Sequence, residues 1–495
     1  MVPFLPLHLD RRARAPLQRQ LYDEIRSAIL DGRLRPRARL PATRVLATDA
    51  GVSRNTVSEA FNQLLAEGYL EGKVGSGTYV AGTLPDQLLR VGRAQAPSPE
   101  APPSAAGLSA RGRMLASIPG SLMRREEALH AFCTGLPAFD QFPKELWARL
   151  AARLLRHAPT AVLTYGQPGG YLPLRRAIAE YLRAARGVRC SPDQVIVTAG
   201  SQQALDLAAR VLLDPGDTAW VEDPGYLGAR GALQAAGVRC VPVPVDAEGL
   251  SVVEGEARAS RARLACVTPS HQYPLGMTMP LGRRMKLLAW ARLHSAWIVE
   301  DDYDSEFRYS GRPLPALQGL DSSGRVIYTG TFSKVLFPAL RLGYLVAPEP
   351  LVDVFLSARV LVDRQPPGLE QAIVAEFLAE GHFGRHLRRM RALYAERQQA
   401  LVAAAHKELA GLLEVAPAEA GMHLTAWLPR KVSDRAISEK AAAAGIVAPP
   451  VSASAVQVRL QPGLLLGYSA FNPRQIREGV RKLATVLSTT ASGAS

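Results

Sequence analysis

The sequence predicts two folded parts of different class, a small helical module ending in a β-hairpin and a large α/β domain with a mostly parallel sheet. Three observations carry this reading. Residues 10–82 are dense in charge and follow helical spacing on either side of Gly51. Residues 83–122 are rich in Pro, Ala, Ser and Gly, which reads as an extended, solvated linker. Residues 123–495 alternate short apolar runs with helical patterns, the signature of an α/β fold.

Composition narrows the function classes. The 495 residues are 47% hydrophobic and 21% charged, a globular balance that excludes a disordered chain, collagen or a coiled-coil rod. No run of about 18 apolar residues occurs, and the first residues lack a basic region before an apolar core. No membrane span or secretory leader is therefore expected, and the expected location is the cytoplasm. Cys133, Cys190, Cys240 and Cys266 are far apart and form neither a CxxC pair nor a zinc pattern, so no metal is expected. The formal charge is +15, and only eight of the 59 basic residues are lysines. A lysine with a specific chemical role therefore has few candidates.

In the first module, Leu17, Leu21, Ile25, Ala28 and Ile29 fall at helical spacing, and Asp31-Gly32 ends that helix. Arg44 to Ala50 reads as a second helix with Thr43 as its N-cap, and Gly51 makes the turn. Ser53 caps a third helix whose apolar face is Val57, Ala60, Phe61, Leu64 and Leu65. Lys73 to Val80 carries glycines among β-branched and aromatic residues, a tight hairpin. Two helices about a short turn followed by a β-wing make a winged helix-turn-helix. The second helix of that motif puts its first residues at base edges in the major groove. Here those are Ser53, Arg54, Asn55 and Thr56; Arg can bond guanine bidentately and Asn can bond adenine. The alternative is a helical scaffold with a solvated polar face.

In the large block, strands are expected at 195–198, 219–221, 239–245, 264–268, 297–299, 325–329 and 342–346, with helices at 202–213 and 283–294 among those between them. Ligands in such sheets bind beyond the strands' carboxyl ends. Ser201 and Gln202 follow the first strand where a helix begins, a place for a phosphate. Glu300, Asp301 and Asp302 follow another strand and read as a metal site, a cap, or a partner for a buried cation. Thr331, Ser333, Lys334 and Arg341 follow a third. A lysine among apolar residues suits Schiff-base chemistry. A phosphate nest, an acid, an amine and an arginine together fit pyridoxal 5′-phosphate (PLP).

Residues 40–80, LPATRVLATDAGVSRNTVSEAFNQLLAEGYLEGKVGSGTYV, closely resemble the GntR-type winged helix. The resemblance implies DNA contacts by Arg44, by Arg54, Asn55 and Thr56, and by Gly75, Ser76 and Gly77 of the wing. The stretches TFSKVLFPALRLGY, VEDPGY, TPSHQYPLG and YGQPGGYLPLR resemble fold-type-I aminotransferases. That resemblance implies PLP on Lys334, with Asp301, or less favourably Asp302, at its pyridinium nitrogen. It implies Tyr303 near its 3-hydroxyl and Tyr226 stacked on its ring. Ser201, Gln202, Thr331, Ser333 and Arg341 would surround the phosphate. Tyr165 would reach the phosphate of a neighbouring subunit's cofactor, which makes the expected assembly a homodimer. The whole architecture resembles the bacterial MocR-type regulators within the GntR family. It implies an operator in double-stranded DNA and an effector that is PLP itself or an amine. An active aminotransferase with a regulatory DNA-binding arm is the alternative.

Two positions depart from the aminotransferase pattern. Tyr273 replaces the Asn of the Asn-Pro-x-Gly turn. Leu465 stands where an Arg forks the substrate carboxylate, and an aliphatic side chain cannot form that clamp.

Overall fold

The structure is a computed structural model that describes residues 7–13, 15–73, 77–86, 107–117, 130–311 and 314–492. It divides into two compact units, Met1–Gly107 and Leu108–Ser495.

The first unit contains α1 (Leu17–Leu30), α2 (Thr43–Asp49), α3 (Arg54–Ala66), β1 (Leu70–Lys73) and β2 (Gly77–Val80). Leu21, Ile25 and Ile29 of α1 meet Val57, Phe61 and Leu64 of α3 in one core, closed by Leu46, Leu70 and Val80. Burying each such side chain contributes about 1.5–3 kcal/mol. Ser53 caps α3, its Oγ accepting the Thr56 N–H at 3.1 Å. Thr43, expected as a cap, is instead the first residue of α2. Ala42 holds the cap position with extended backbone, and its carbonyl accepts the N–H groups of Val45 and Leu46. The wing strands pair antiparallel, Leu70 opposite Val80 and Lys73 opposite Gly77. Gly75 and Ser76, at the expected wing tip, lie outside the described residues. Residues 37–40 run beside β2, with Leu40 N–H on Thr78 O and Val80 N–H on Ala38 O, both 2.9 Å.

The stretch expected to be an extended linker departs from that reading at both described places. Leu84 is buried against the first unit, and Asp86 accepts hydrogen bonds from Arg26 and Tyr69. Ala110–Ser117 is helical, with Ser109 Oγ accepting the Gly112 N–H at 3.0 Å. Ala, Arg, Met and Leu favour helix locally without needing a buried face.

The second unit is built on an eight-stranded sheet. Its strands are β3 (Val195–Thr198), β4 (Thr218–Asp223), β5 (Arg239–Asp246), β6 (Gly249–Leu250), β7 (Leu264–Val267), β8 (Trp297–Asp302), β9 (Val326–Thr331) and β10 (Gly343–Val346). Their spatial order is β3-β10-β9-β8-β7-β4-β5-β6. The central five, β9 to β5, are parallel, and β10 runs antiparallel to both β9 and β3. Around it stand α4 (Ser201–Leu212) and α5 (Val352–Asp363). The long α6 (His382–Glu408) leads to a smaller antiparallel sheet of β11 (Glu414–Val415), β12 (His423–Trp427) and β13 (Gly463–Gly467), and α7 (Pro473–Ser492) follows. Leu424, Ala426, Leu464 and Leu466 of this sheet share a core with Tyr394 and Leu401 of α6 and Ile476 and Val480 of α7. The result is the large and small domain pair of a fold-type-I PLP enzyme.

Four strands outrun their expected ends; β4 reaches Asp223 and β5 reaches Asp246. β8 continues to Asp302 and β9 to Thr331, because Asp301 pairs with Thr329 and Asp302 with Gly330 in the parallel ladder. The acids stay inside the sheet since each finds a partner there.

Candidate functional site

On the winged unit, Arg44, Ser53, Arg54 and Asn55 are exposed, while Thr56 is half-buried and turned back onto its cap. Together they put hydrogen-bonding groups at the start of α3 and on α2. The sequence reading missed Arg39. A β-carbon at Gly77, whose φ is +110°, would come within 3.2 Å of Arg39 Nε, so glycine there admits the guanidinium against the wing. Six arginines lie between 33 and 54, Arg39 among them, and that basic run is the signal that could have found it.

The three consecutive acids of β8 separate by the two-residue period of a strand. Glu300 accepts the Leu317 and Gln318 N–H groups at 2.8 and 2.9 Å, capping a short helix. Asp302 lies on the same side, paired with the buried Arg186 at 2.8 Å and accepting the Tyr328 hydroxyl at 2.6 Å. Asp301 points the other way, accepts from Thr329 Oγ1 at 3.1 Å, and lines an open pocket with Glu222, Tyr226, Thr268 and Ser454. Burial pushes the Asp301 carboxyl up to about 6, while the Thr329 bond and the Lys334 charge pull against that rise. Glu222, buried beneath the same cavity and accepting from Thr268 and Gln272, is pushed by burial to about 7. Among the described residues no group of acids, histidines and cysteines forms a metal cluster.

The next layer is a cup of backbone. Gly200, at φ +105°, precedes α4, so Ser201 and Gln202 open the helix with N–H groups that have no partner within it. Arg341 donates to Ala199 O at 2.8 Å. A β-carbon at Gly343 would meet Gly200 at 2.9 Å, so glycine there lets the two backbone segments approach. The Ala199 N–H is held by Gln203 Oε1 at 2.8 Å, and Gln203 donates in turn to Asp363 at 2.9 Å. Thr331 is buried, its Oγ1 accepting the Ser333 N–H at 3.1 Å. Lys334 is half-buried and donates to the Gly135 carbonyl at 3.0 Å. Gly135, at φ +69°, was not singled out from the sequence. Any β-carbon there would fall 2.5 Å from Lys334 Nζ.

An aromatic wall completes the cleft. Tyr226 and Tyr303 each meet Tyr273 edge-on, with ring centres 5.9 and 6.1 Å away. Tyr226 also bonds Gln202 Oε1 at 3.4 Å. Tyr303 OH lies 2.9 Å from His271 Nδ1, which also meets Asp304 at 3.0 Å. Tyr165 is not in this cluster. It is 81% exposed, with the Arg364 guanidinium 4.8 Å over its ring. Leu465 stands opposite Thr425 in the small sheet. His423 and Thr425 both donate to Pro274 O, at 3.0 and 3.2 Å, so the face they share with Leu465 looks toward the Tyr273–Pro274 turn.

Two families match the chain: aminotransferase class I and II over residues 129–483, and bacterial regulatory proteins of the gntR family over residues 17–80. The probable rhizopine catabolism regulatory protein MocR of Rhizobium meliloti is 46% identical over 99% of this chain and 97% of its own length. The chain belongs to the MocR-type regulators of the GntR family. A second relative of this regulator is TauR of Rhodobacter capsulatus, 33% identical over 98% of this chain and 99% of its own. In three dimensions the aminotransferase-like part is similar to LysN, the α-aminoadipate aminotransferase of Thermus thermophilus. That match has a TM-score of 0.71 and 33% identity over 77% of this chain and 98% of the enzyme. MocR and TauR match over nearly the whole chain. The aminotransferases match the C-terminal part, and the fold is that of PLP-dependent enzymes. No described helix is long and apolar enough to cross a membrane.

Proposed function

We propose that this regulator holds PLP on Lys334, reads an operator with α3 and the wing, and changes its DNA output when PLP or an amine-bearing effector occupies the site. The observation that carries the reading is the convergence of Lys334, Asp301, Tyr226 and the Ala199–Ser201 cup with Arg341 around one cleft. Those groups fit PLP by chemistry: an amine for its aldehyde, an acid for its ring nitrogen, a ring face and donors for its phosphate. Bound PLP supplies an electrophilic carbon that captures amines. The rest would be done by the chain: Asp301 would hold the ring nitrogen, Tyr226 would cover the ring, and Tyr303, backed by His271, would serve the 3-hydroxyl.

Leu465 favours sensing over turnover, because no guanidinium stands there to fork an α-carboxylate. It also favours PLP itself, or an amine lacking an α-carboxylate, as the signal. One relative, PdxR of Corynebacterium glutamicum, is named a pyridoxine biosynthesis transcriptional regulator, which accords with a signal from the PLP side. The alternative, a working aminotransferase with a regulatory arm, predicts steady turnover of common amino acids.

The working unit we propose is a cytoplasmic homodimer. Leu163, Tyr165 and Leu361 are exposed, and the segments that carry them meet where Gln365 donates to Thr164 O at 3.4 Å and Arg364 lies over the Tyr165 ring. From there Tyr165 would complete the partner's phosphate cup.

The test compares cofactor-free protein, PLP-loaded protein and Lys334→Ala. The loaded wild type should be yellow, borohydride should fix the label on Lys334, and operator affinity should differ between loaded and free forms. Identical operator affinity and promoter output in all three would end the sensing reading and leave the DNA-binding assignment standing.

A further inference from the structure

β4 ends in Asp223, and the next residues, Pro224 and Gly225, lead to Tyr226, the aromatic face of the cofactor cleft. Asp223 is fully buried. Its carboxylate accepts three consecutive backbone N–H groups, those of Val456 at 2.7 Å, Gln457 at 2.8 Å and Val458 at 3.0 Å. Beside it the Gly225 N–H donates to Ser454 O at 3.1 Å. Ser454 also lines the cavity beneath Tyr226 and Asp301.

The segment that Asp223 grips belongs to the small domain at both ends. Upstream, Ser452 donates to Asp434 through its N–H at 3.0 Å and its hydroxyl at 2.7 Å. Downstream it runs directly into β13, which carries Leu465. Residues 454–458 are thus held between an acid of the large domain and an acid of the small one. Hydrogen bonds to an ionised carboxylate are about twice as strong as neutral ones, and three on one buried group leave the segment little freedom. A shift of the Tyr226 loop therefore drags residues 454–458, and a shift of β13 drags the Tyr226 loop.

We propose that Asp223 is the positioning residue that couples occupancy of the cofactor cleft to the placement of the small-domain strand carrying Leu465. The proposal rests on the PLP-sensing reading above. It adds the connection by which the ring site and the effector side report to each other. Coupling requires that PLP favour one arrangement of the gripped segment over another, and Asp223 is what makes the segment feel the difference.

Hydrogen exchange on the full-length chain, with and without PLP, tests it through the peptide covering residues 454–460. In the wild type, PLP should slow exchange of the amides of residues 456–458. In Asp223→Asn these amides should exchange at least about tenfold faster without PLP, as expected for a lost charge-assisted bond. Added PLP should no longer slow them, although the visible band of the lysine-bound cofactor still forms. Unchanged exchange in Asp223→Asn would overturn the proposal. So would faster exchange with the PLP-dependent slowing intact, because that is a purely structural role. If Asp223→Asn does not fold, Val458→Pro removes one donor and leaves the carboxylate in place. It should weaken the PLP-dependent slowing at residues 456 and 457, and full retention would overturn the proposal equally. Failure of the sensing reading looks different: operator affinity indifferent to PLP in the wild type, whatever residues 456–458 do.

Discussion

Thr329 Oγ1 donates to the Asp301 carboxylate at 3.1 Å from directly across the ladder between β8 and β9. This bond, with the Lys334 charge, offsets part of a burial that pushes the acid from 3.8 to about 6. Asp301 is therefore a residue that the cofactor-free fold holds at a cost.

The pH dependence follows from that shift. Between 3.8 and about 6 the unfolded chain ionises at this position while the folded chain keeps its proton. Stability falls as pH rises through that window, and the full cost remains above it. Asp301→Asn should make the cofactor-free protein more stable at pH 8 by on the order of 3 kcal/mol, with roughly half that gain near pH 5. The same variant should bind PLP more weakly. Denaturant titrations at the two pH values, paired with PLP titration, check both halves; an equal gain at both pH values would show that ionisation is not the cause.

Arg54 is exposed at the first turn of α3. Arg54→Ala should weaken specific operator binding by about 1–3 kcal/mol and leave uptake of PLP normal. Gel shifts on operator and random DNA, with absorbance on the same samples, separate the two effects. Unchanged operator affinity would mean that α3 is not the reading helix.

Leu361 is 88% exposed, near the end of the helix whose following residues, Arg364 and Gln365, meet Tyr165 and Thr164. Large apolar side chains left exposed on two segments that meet are candidates for an interface. Leu361→Glu should turn a sedimenting dimer into a monomer at micromolar concentration and weaken PLP binding, since each cup would lose Tyr165 of the partner subunit. A wild type already monomeric with PLP bound would remove the dimer from the account.

Leu465 is buried on the face of the small sheet that turns to Pro274. Leu465→Arg should place an unpaired guanidinium there and lower the melting temperature of the PLP-loaded protein. Common α-amino acids should restore it in the variant and leave the wild type unmoved. If they stabilise the wild type equally, another group supplies the carboxylate site.

Much of this protein was legible locally. Helical spacing from Leu17 to Ile29 and from Val57 to Leu64, the cap at Ser53, and the apolar runs before Glu300 and Lys334 depend on neighbours a few residues away. Sequence by itself therefore determined the winged module, the α/β alternation and the residues worth watching. Local signals also misled where backbone geometry overrode a side chain, as at Thr43, where the Ala42 carbonyl opens the helix. The tertiary structure decided everything that depends on where distant segments meet. It assigned Glu300 to a helix end, Asp302 to Arg186 and Asp301 to the cavity. It brought Gly135 to Lys334 across 199 residues, and Val456 to Asp223 across 233. No periodicity encodes such pairs, because they arise only when segments distant in sequence pack together and every buried polar group must find its partner.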